Sequence, residues 1–290
     1  MAPFPRAQRR IRGTDGARGR EPVPRHAAGG GARIPHRLHR PPWRDPRNRA
    51  HARPARSGDA ARSRSRARRE LIVDDARRRD LLLVALTFAA GAVDAVVFLR
   101  LEVFTAVMTG NIVLLGLAIG QGAFRNALRS LIALAAYSGG VLAGARLIGA
   151  APRETVWPAH ATRALGVECV LQAAFFGGWI LTDARPDGLA AASLIAVSGV
   201  AMGIQAVTAR TLAPALSTTY VTGTLTALLS ELSALGAIGP DAFRRAAIVV
   251  ALGLGAVCGA LVLVAAAVLA PALPLVVITG VVVVAATRFR

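Results

Sequence analysis

From residue 81 onward apolar residues do not alternate with polar ones but run on without a break. Such runs fall near 81–99, 104–121, 127–149, 163–182, 189–209, 216–238, 242–270 and 273–287, and a membrane crossing takes about 20 mainly apolar residues. The pattern predicts an all-α, polytopic integral membrane helix bundle of six to eight spans. Two runs are short. Ala106 to Gly120 and Leu273 to Thr287 each rise only about 22 Å at 1.5 Å per residue, and the second follows Pro271 and Pro274. For one of these segments a re-entrant path stands beside a full crossing.

Charge divides the chain sharply. Of the 35 basic residues among 290, 23 lie in residues 1–80 with 8 acidic ones, and residues 81–290 carry only 12 and 8. Twenty formal charges over 210 residues are too few to coat a water-soluble domain, which excludes a soluble enzyme. Residues 1–70 are rich in Arg, Ala, Pro, Gly and Ser and lack apolar periodicity. They are expected to be a disordered tail ahead of a transmembrane domain at 71–290; the alternative is a true start near Leu71. The Arg62 to Arg69 run is a candidate contact for anionic lipid. Only Phe4 and Trp43 are aromatic in the tail, so base-stacking platforms are missing and no specific nucleic-acid partner is expected.

With about 80 polar residues before it, the first apolar run is expected to be an uncleaved span and not a secretory signal. Arg77, Arg78 and Arg79 stand immediately before it and predict a cytoplasmic N-terminus. If all eight runs cross, the remaining arginines divide only seven inside to five outside. Cys169 and Cys258 lie within apolar runs, as small hydrophobes do.

The chain also resembles itself. At a shift of 115, Ala127–Ala145 aligns with Ala242–Ala260, matching Arg129 with Arg244, Gly140 with Gly255 and Gly144 with Gly259. A shift of 113 pairs Thr109-Gly110 with Thr222-Gly223, and a shift of 111 pairs Asp94 with Gln205. These matches predict a duplicated three-helix unit, about 81–149 and 189–270, with one spare helix between. The halves share an orientation if every segment crosses, and are inverted if one is re-entrant. Gly140, Gly144, Gly255 and Gly259 form small-residue stripes suited to close helix packing, within the chain or between copies in a homo-oligomer.

Ionisable residues in hydrocarbon cost several kcal/mol unless paired or hydrated, so each is a functional candidate. Asp94 in the first run and Glu231 in the sixth are the favoured ones; Glu102 and Glu168 stand near predicted helix ends, where a carboxylate is unremarkable. Thr109, Gly110 and Asn111 in the second run, with Thr222, Gly223 and Thr224 in its counterpart, offer uncharged hydrogen-bonding groups around a helix-breaking glycine. With Gln205 they are candidates for a substrate or ion pathway, or for interhelical fasteners. His160 is the only histidine after residue 80, and no paired-histidine motif, phosphate-binding loop or serine elbow is present. No catalytic residue, metal site or cofactor is expected.

The run Leu86–Ala95 (LTFAAGAVDA), with Phe98-Leu99, then Phe104–Asn111 (FTAVMTGN) and Leu114-Leu115-Gly116, resembles the signature of the YoaK-like bacterial family, domain of unknown function 1275. The resemblance covers 81–290. It implies a multi-pass protein of the bacterial inner membrane without a settled biochemical activity, and carries over no catalytic residue. Together these readings lead to the expectation of a transporter or permeation pathway for a small solute or ion, in which Asp94 and Glu231 take part in proton or cation coupling. The rival expectation is a membrane scaffold or assembly protein.

Overall fold

The computed structural model describes residues 57–149, 155–213, 221–233 and 240–289. They form eight helices: α1 (Ser57–Leu101), α2 (Met108–Gly120), α3 (Phe124–Ile148), α4 (Ala159–Leu181), α5 (Gly188–Leu212), α6 (Val221–Ser233), α7 (Pro240–Ala265) and α8 (Ala272–Arg288). Helix is the expected state, because a backbone in lipid must satisfy its own hydrogen bonds. α1 extends further back than anticipated. Residues 57–70, expected to be disordered, continue its helix, since Ala and Arg are good helix formers and propagation from an existing helix avoids the cost of a nucleus. The rest of the expected tail, residues 1–56, lies outside the described residues.

Six helices among the described residues are long and apolar enough to cross a membrane: Val73–Leu101, Phe124–Ile148, Ala159–Leu181, Gly188–Leu212, Asp241–Ala265 and Ala267–Arg288. The doubtful eighth run qualifies because a 3-10 turn, Ala267–Leu269, lengthens α8 at its start. α2 has 13 residues, about 20 Å at 1.5 Å per residue, and falls short of the hydrocarbon layer; the described part of α6 also has 13, with residues 214–220 and 234–239 on either side of it outside the description.

Glycine sets the closest approaches. A Cβ on Gly255 of α7 would collide with the Phe88 carbonyl of α1, one on Gly259 with that of Ala92, and one on Gly91 with that of Leu252. The sequence numbers climb together, so α1 and α7 run parallel. The same holds for α3 and α5, where Gly140 abuts Val200, Gly144 abuts Ile204, and Gly203 abuts Tyr137 and Val141. An arginine fastens the start of each pair: Arg244 bridges to Asp80 at 2.7 Å, and Arg129 reaches Asp187 at 3.8 Å. All four stripe glycines are thus engaged within the chain.

Two apolar clusters fill the bundle. One gathers Val93 and Val96 of α1, Phe175 and Trp179 of α4, and Ile195 and Met202 of α5; the other gathers Leu83 and Leu86 of α1, Leu165 of α4, Ala209 of α5, Ile248 of α7 and Ile278 of α8. Leu131, Leu142, Val250, Leu254, Leu261, Val276 and Val283 point outward, as lipid-facing positions do.

Candidate functional site

The polar residues singled out in the first two apolar runs converge on one structure, the turn from α1 into α2. Glu102 ends α1 in a left-handed conformation, φ 59°, which reverses the chain. Residues 103–107 then dip back beside α1. Asp94 receives them: its Oδ1 accepts from the backbone N–H of Thr105 (2.6 Å) and Ala106 (2.8 Å) and from the Thr105 hydroxyl (3.3 Å), and its Oδ2 accepts from Val107 N–H (3.0 Å). Seven residues separate Asp94 from Leu101, so α2 begins about 10 Å below the end of α1. A carboxylate at that depth is stabilised by amides at the N-terminus of α2, where the helix dipole favours negative charge.

The loop is held from two further directions. Asn111 pairs with both polar groups of Phe104, accepting its N–H at 2.9 Å and donating to its carbonyl at 2.6 Å, which a carboxylate or an aliphatic side chain cannot do. Ser198 of α5 donates to the Thr105 hydroxyl at 3.1 Å. The Phe104 ring stacks on Phe98, with centroids 4.5 Å apart, and a Cβ on Gly110 would press to 2.9 Å of it. Gly110 is therefore needed for close approach and not as a break with free carbonyls. Thr109 is exposed.

Where α2 ends, the chain is back where it began. Asn126, just inside α3, donates to Glu102 at 2.7 Å, and Arg129 reaches the Leu101 carbonyl at 3.3 Å. α2 is thus the returning limb of a hairpin that folds back along α1 and packs on α3. Beside it lies a 270 Å³ cavity lined by Phe98, Leu114, Leu117 and Ala118 with Glu102, Gln121, Asn126 and Ser130 at its polar edge. That volume lies just below the range of small-molecule sites, about 300–1,000 Å³.

The remaining candidates do not join this hairpin in one cluster. Glu231 lies at the exposed end of α6 and pairs with Arg245 of α7. Thr224 is buried and Gly223 half-buried, while the side chain of Thr222 and residues 214–220 lie outside the description. Gln205 on α5 donates to the Leu86 carbonyl of α1 at 2.9 Å, joining two helices. Among the described residues no three His, Cys, Asp or Glu side chains stand close enough to hold a metal.

One group was undervalued from sequence. Glu168 was read as opening its helix, but α4 begins at Ala159, four residues before the expected start, which puts Glu168 near the helix middle and fully buried. The His160-Ala-Thr-Arg163 stretch hid that start, since three polar residues within about one turn interrupt the apolar run.

A family model described as "Protein of unknown function (DUF1275)" matches residues 82–285. The UPF0700 transmembrane protein YoaK of Bacillus subtilis (strain 168) is 40% identical over 157 residues, covering 53% of this chain and 68% of that protein. No solved structure matches.

Proposed function

This chain belongs to the DUF1275 family, and from that premise we propose that it is a transporter or permeation pathway for a small solute or ion, resident in a bacterial cytoplasmic membrane. The observation that carries this reading is the re-entrant hairpin: a half-length helix whose N-terminus points inward at the buried carboxylate of Asp94. Half-helices aimed inward are how secondary transporters present backbone dipoles to a ligand.

We further read the chain as two inverted repeats, α1–α3 and α5–α7. Supporting this are the two parallel pairs and the matched glycines. The contacts of Gly91 and Gly203 favour a shift of 112 for the first helices, which matches Asp94 with Ala206, one place away from Gln205. Inversion follows if neither α2 nor α6 crosses. With six crossings, Arg77, Arg78, Arg79, Arg146, Arg163, Arg210, Arg244, Arg245 and Arg288 share the side where α1 starts, against Arg100, Arg125, Arg129 and Arg185 opposite. An eight-span path divides the same thirteen arginines nine to four as well, so the support for a cytoplasmic N-terminus does not depend on the number of crossings.

In this reading Asp94 is a latch. While the amides of Thr105, Ala106 and Val107, just ahead of α2, occupy it the inward end of the hairpin is closed, and a proton or cation taken by the carboxylate releases residues 103–107. The scaffold reading has one observation in its favour, the commitment of both Asp94 and Asn111 to backbone partners. The test is proton-linked uptake of pooled small metabolites and ions into proteoliposomes holding the full chain, with Asp94→Asn and Asn111→Ala alongside. Flux in the parent that is lost in both folded variants supports transport through the hairpin. Silence from correctly inserted parent protein refutes it in favour of a scaffold.

A further inference from the structure

Glu168 is fully buried, and neither of its carboxylate oxygens meets a hydrogen-bond donor. It is the tenth residue of α4, about 14 Å along a helix about 33 Å long, and so near the middle of a hydrocarbon layer about 30 Å thick. One turn further on, the Nε2 of Gln172, 2% exposed, meets no acceptor. Both lie on the buried stripe of α4 between two apolar layers: Leu165 packs with Leu86, Ala209 and Ile278 on one side, and Phe175 with Ala90, Val93 and Met202 on the other.

Other buried polar groups of α1 and α5 are spent. Thr87 donates to Leu83, Thr208 to Ile204 and Gln205 to Leu86, each through a helix carbonyl. Nor, among the described residues, does a charged or titratable group from a packed helix bond to the site. On α4, His160 and Arg163 are exposed near its start and Cys169 contacts Thr279 of α8; Arg210 of α5 and Arg288 of α8 are exposed near helix ends. On α3, Arg129 turns to Leu101 and Asp187 and Arg146 is exposed, while Asp94 of α1 is filled by loop amides. An acceptor without donors and a donor without an acceptor therefore face a dry interior one turn apart, an arrangement that costs several kcal/mol if left as it stands.

The pair of vacant roles selects the ligand. A metal cation would suit the carboxylate but repel the Gln172 N–H. A proton on Glu168 together with one water satisfies both, because water accepts from the carboxyl O–H and from Gln172 at once. We propose that Glu168 and Gln172 form a proton-binding site at the middle of the membrane, in which the Glu168 carboxylate takes a proton from the aqueous phase and one water bridges it to Gln172. The site stands apart from the hairpin and holds whether or not a solute crosses there.

The test treats the full chain in liposomes with dicyclohexylcarbodiimide, which forms an N-acylurea on protonated carboxyls in apolar surroundings, and maps adducts by peptide mass spectrometry. An adduct on Glu168 that fades to loss between mildly acidic and alkaline pH, and is indifferent to Na⁺ and K⁺, is expected. Absence of that adduct overturns the proposal, as does its suppression by Na⁺, which would make a metal cation the occupant. Since the adduct is read on the unmodified chain, no variant has to fold. Infrared difference spectra add a second measurement: a protonated-carboxyl stretch that persists in Glu168→Gln would also overturn the assignment.

Discussion

Replacing Asp94 separates its hydrogen-bonding duty from its charge. The wild-type carboxylate holds three backbone N–H groups and a hydroxyl. In Asp94→Ala all three N–H groups are orphaned in an apolar interior, at about 1–3 kcal/mol each; detachment of the hairpin caps the total well below their sum. In Asp94→Asn the amide oxygen can still accept from Thr105 and Ala106, but the NH₂ then faces the Val107 N–H, donor against donor. Loss of one charge-assisted bond and that opposition come to about 2–4 kcal/mol. For a chain of this size about 2–4 °C per kcal/mol applies, so Asn lowers the midpoint by about 5–15 °C and Ala by more. Cys169 and Cys258 are free and half-buried, so a thiol-reactive dye reports thermal unfolding in detergent without an added label. Hydrogen exchange of the 103–111 peptide locates the effect, with faster exchange expected there than elsewhere. A midpoint within about 1 °C of wild type for Asn, or Ala no worse than Asn, would refute the clamp as an energetic element.

Three other outcomes follow from the packing. Gly140→Ala forces a Cβ against the Val200 backbone and is expected to cost about 1–3 kcal/mol by overpacking, while its neighbour Gly139→Ala meets nothing within 4 Å and leaves the midpoint unchanged or slightly raised; equal effects would refute the α3–α5 contact. In a Cys169→Ala, Cys258→Ala background, Arg100→Cys and Gly122→Cys are expected to react with an impermeant maleimide from the same membrane side, and labelling from opposite sides would mean that α2 crosses. Glu231→Gln removes only an exposed pairing with Arg245, worth about 0–1 kcal/mol, so its midpoint stays near wild type; a large fall would show Glu231 to be structurally committed.

Helix content and the glycine stripes were legible in the sequence, because lipid leaves the backbone few choices and glycine at four-residue spacing has a direct packing meaning; the crossings were bracketed at six to eight. Asp94 and Asn111 were legible as polar residues inside apolar runs. Their partners were not, since a residue's hydrogen bonds to backbone leave no trace in the identity of the residues that donate them: Asp94 needs the amides of Thr105, Ala106 and Val107, whatever their side chains. Glu231, an acidic residue among hydroxyls, suggested a lining group, and the structure shows it exposed and paired with Arg245. Glu168 was misjudged by a four-residue error in a helix start, enough to move it from the headgroup region to the midplane.

The parallel pairing of α1 with α7 and of α3 with α5 bears on how the chain is made. Helices enter the membrane in the order of synthesis, yet the glycine-rich face of α1 finds its mate only when α7 emerges, some 150 residues later. Until then Gly91, Phe88 and Ala92 lie open to lipid or to whatever helix passes by. The residues of the hairpin, α3 and α5 are all made before α7, so the α1–α7 embrace forms late, with only α8 still to add. A ribosome stalled before Pro240 would therefore leave the first helix unclasped, and assembly of the bundle is a post-translational event with respect to its own first span.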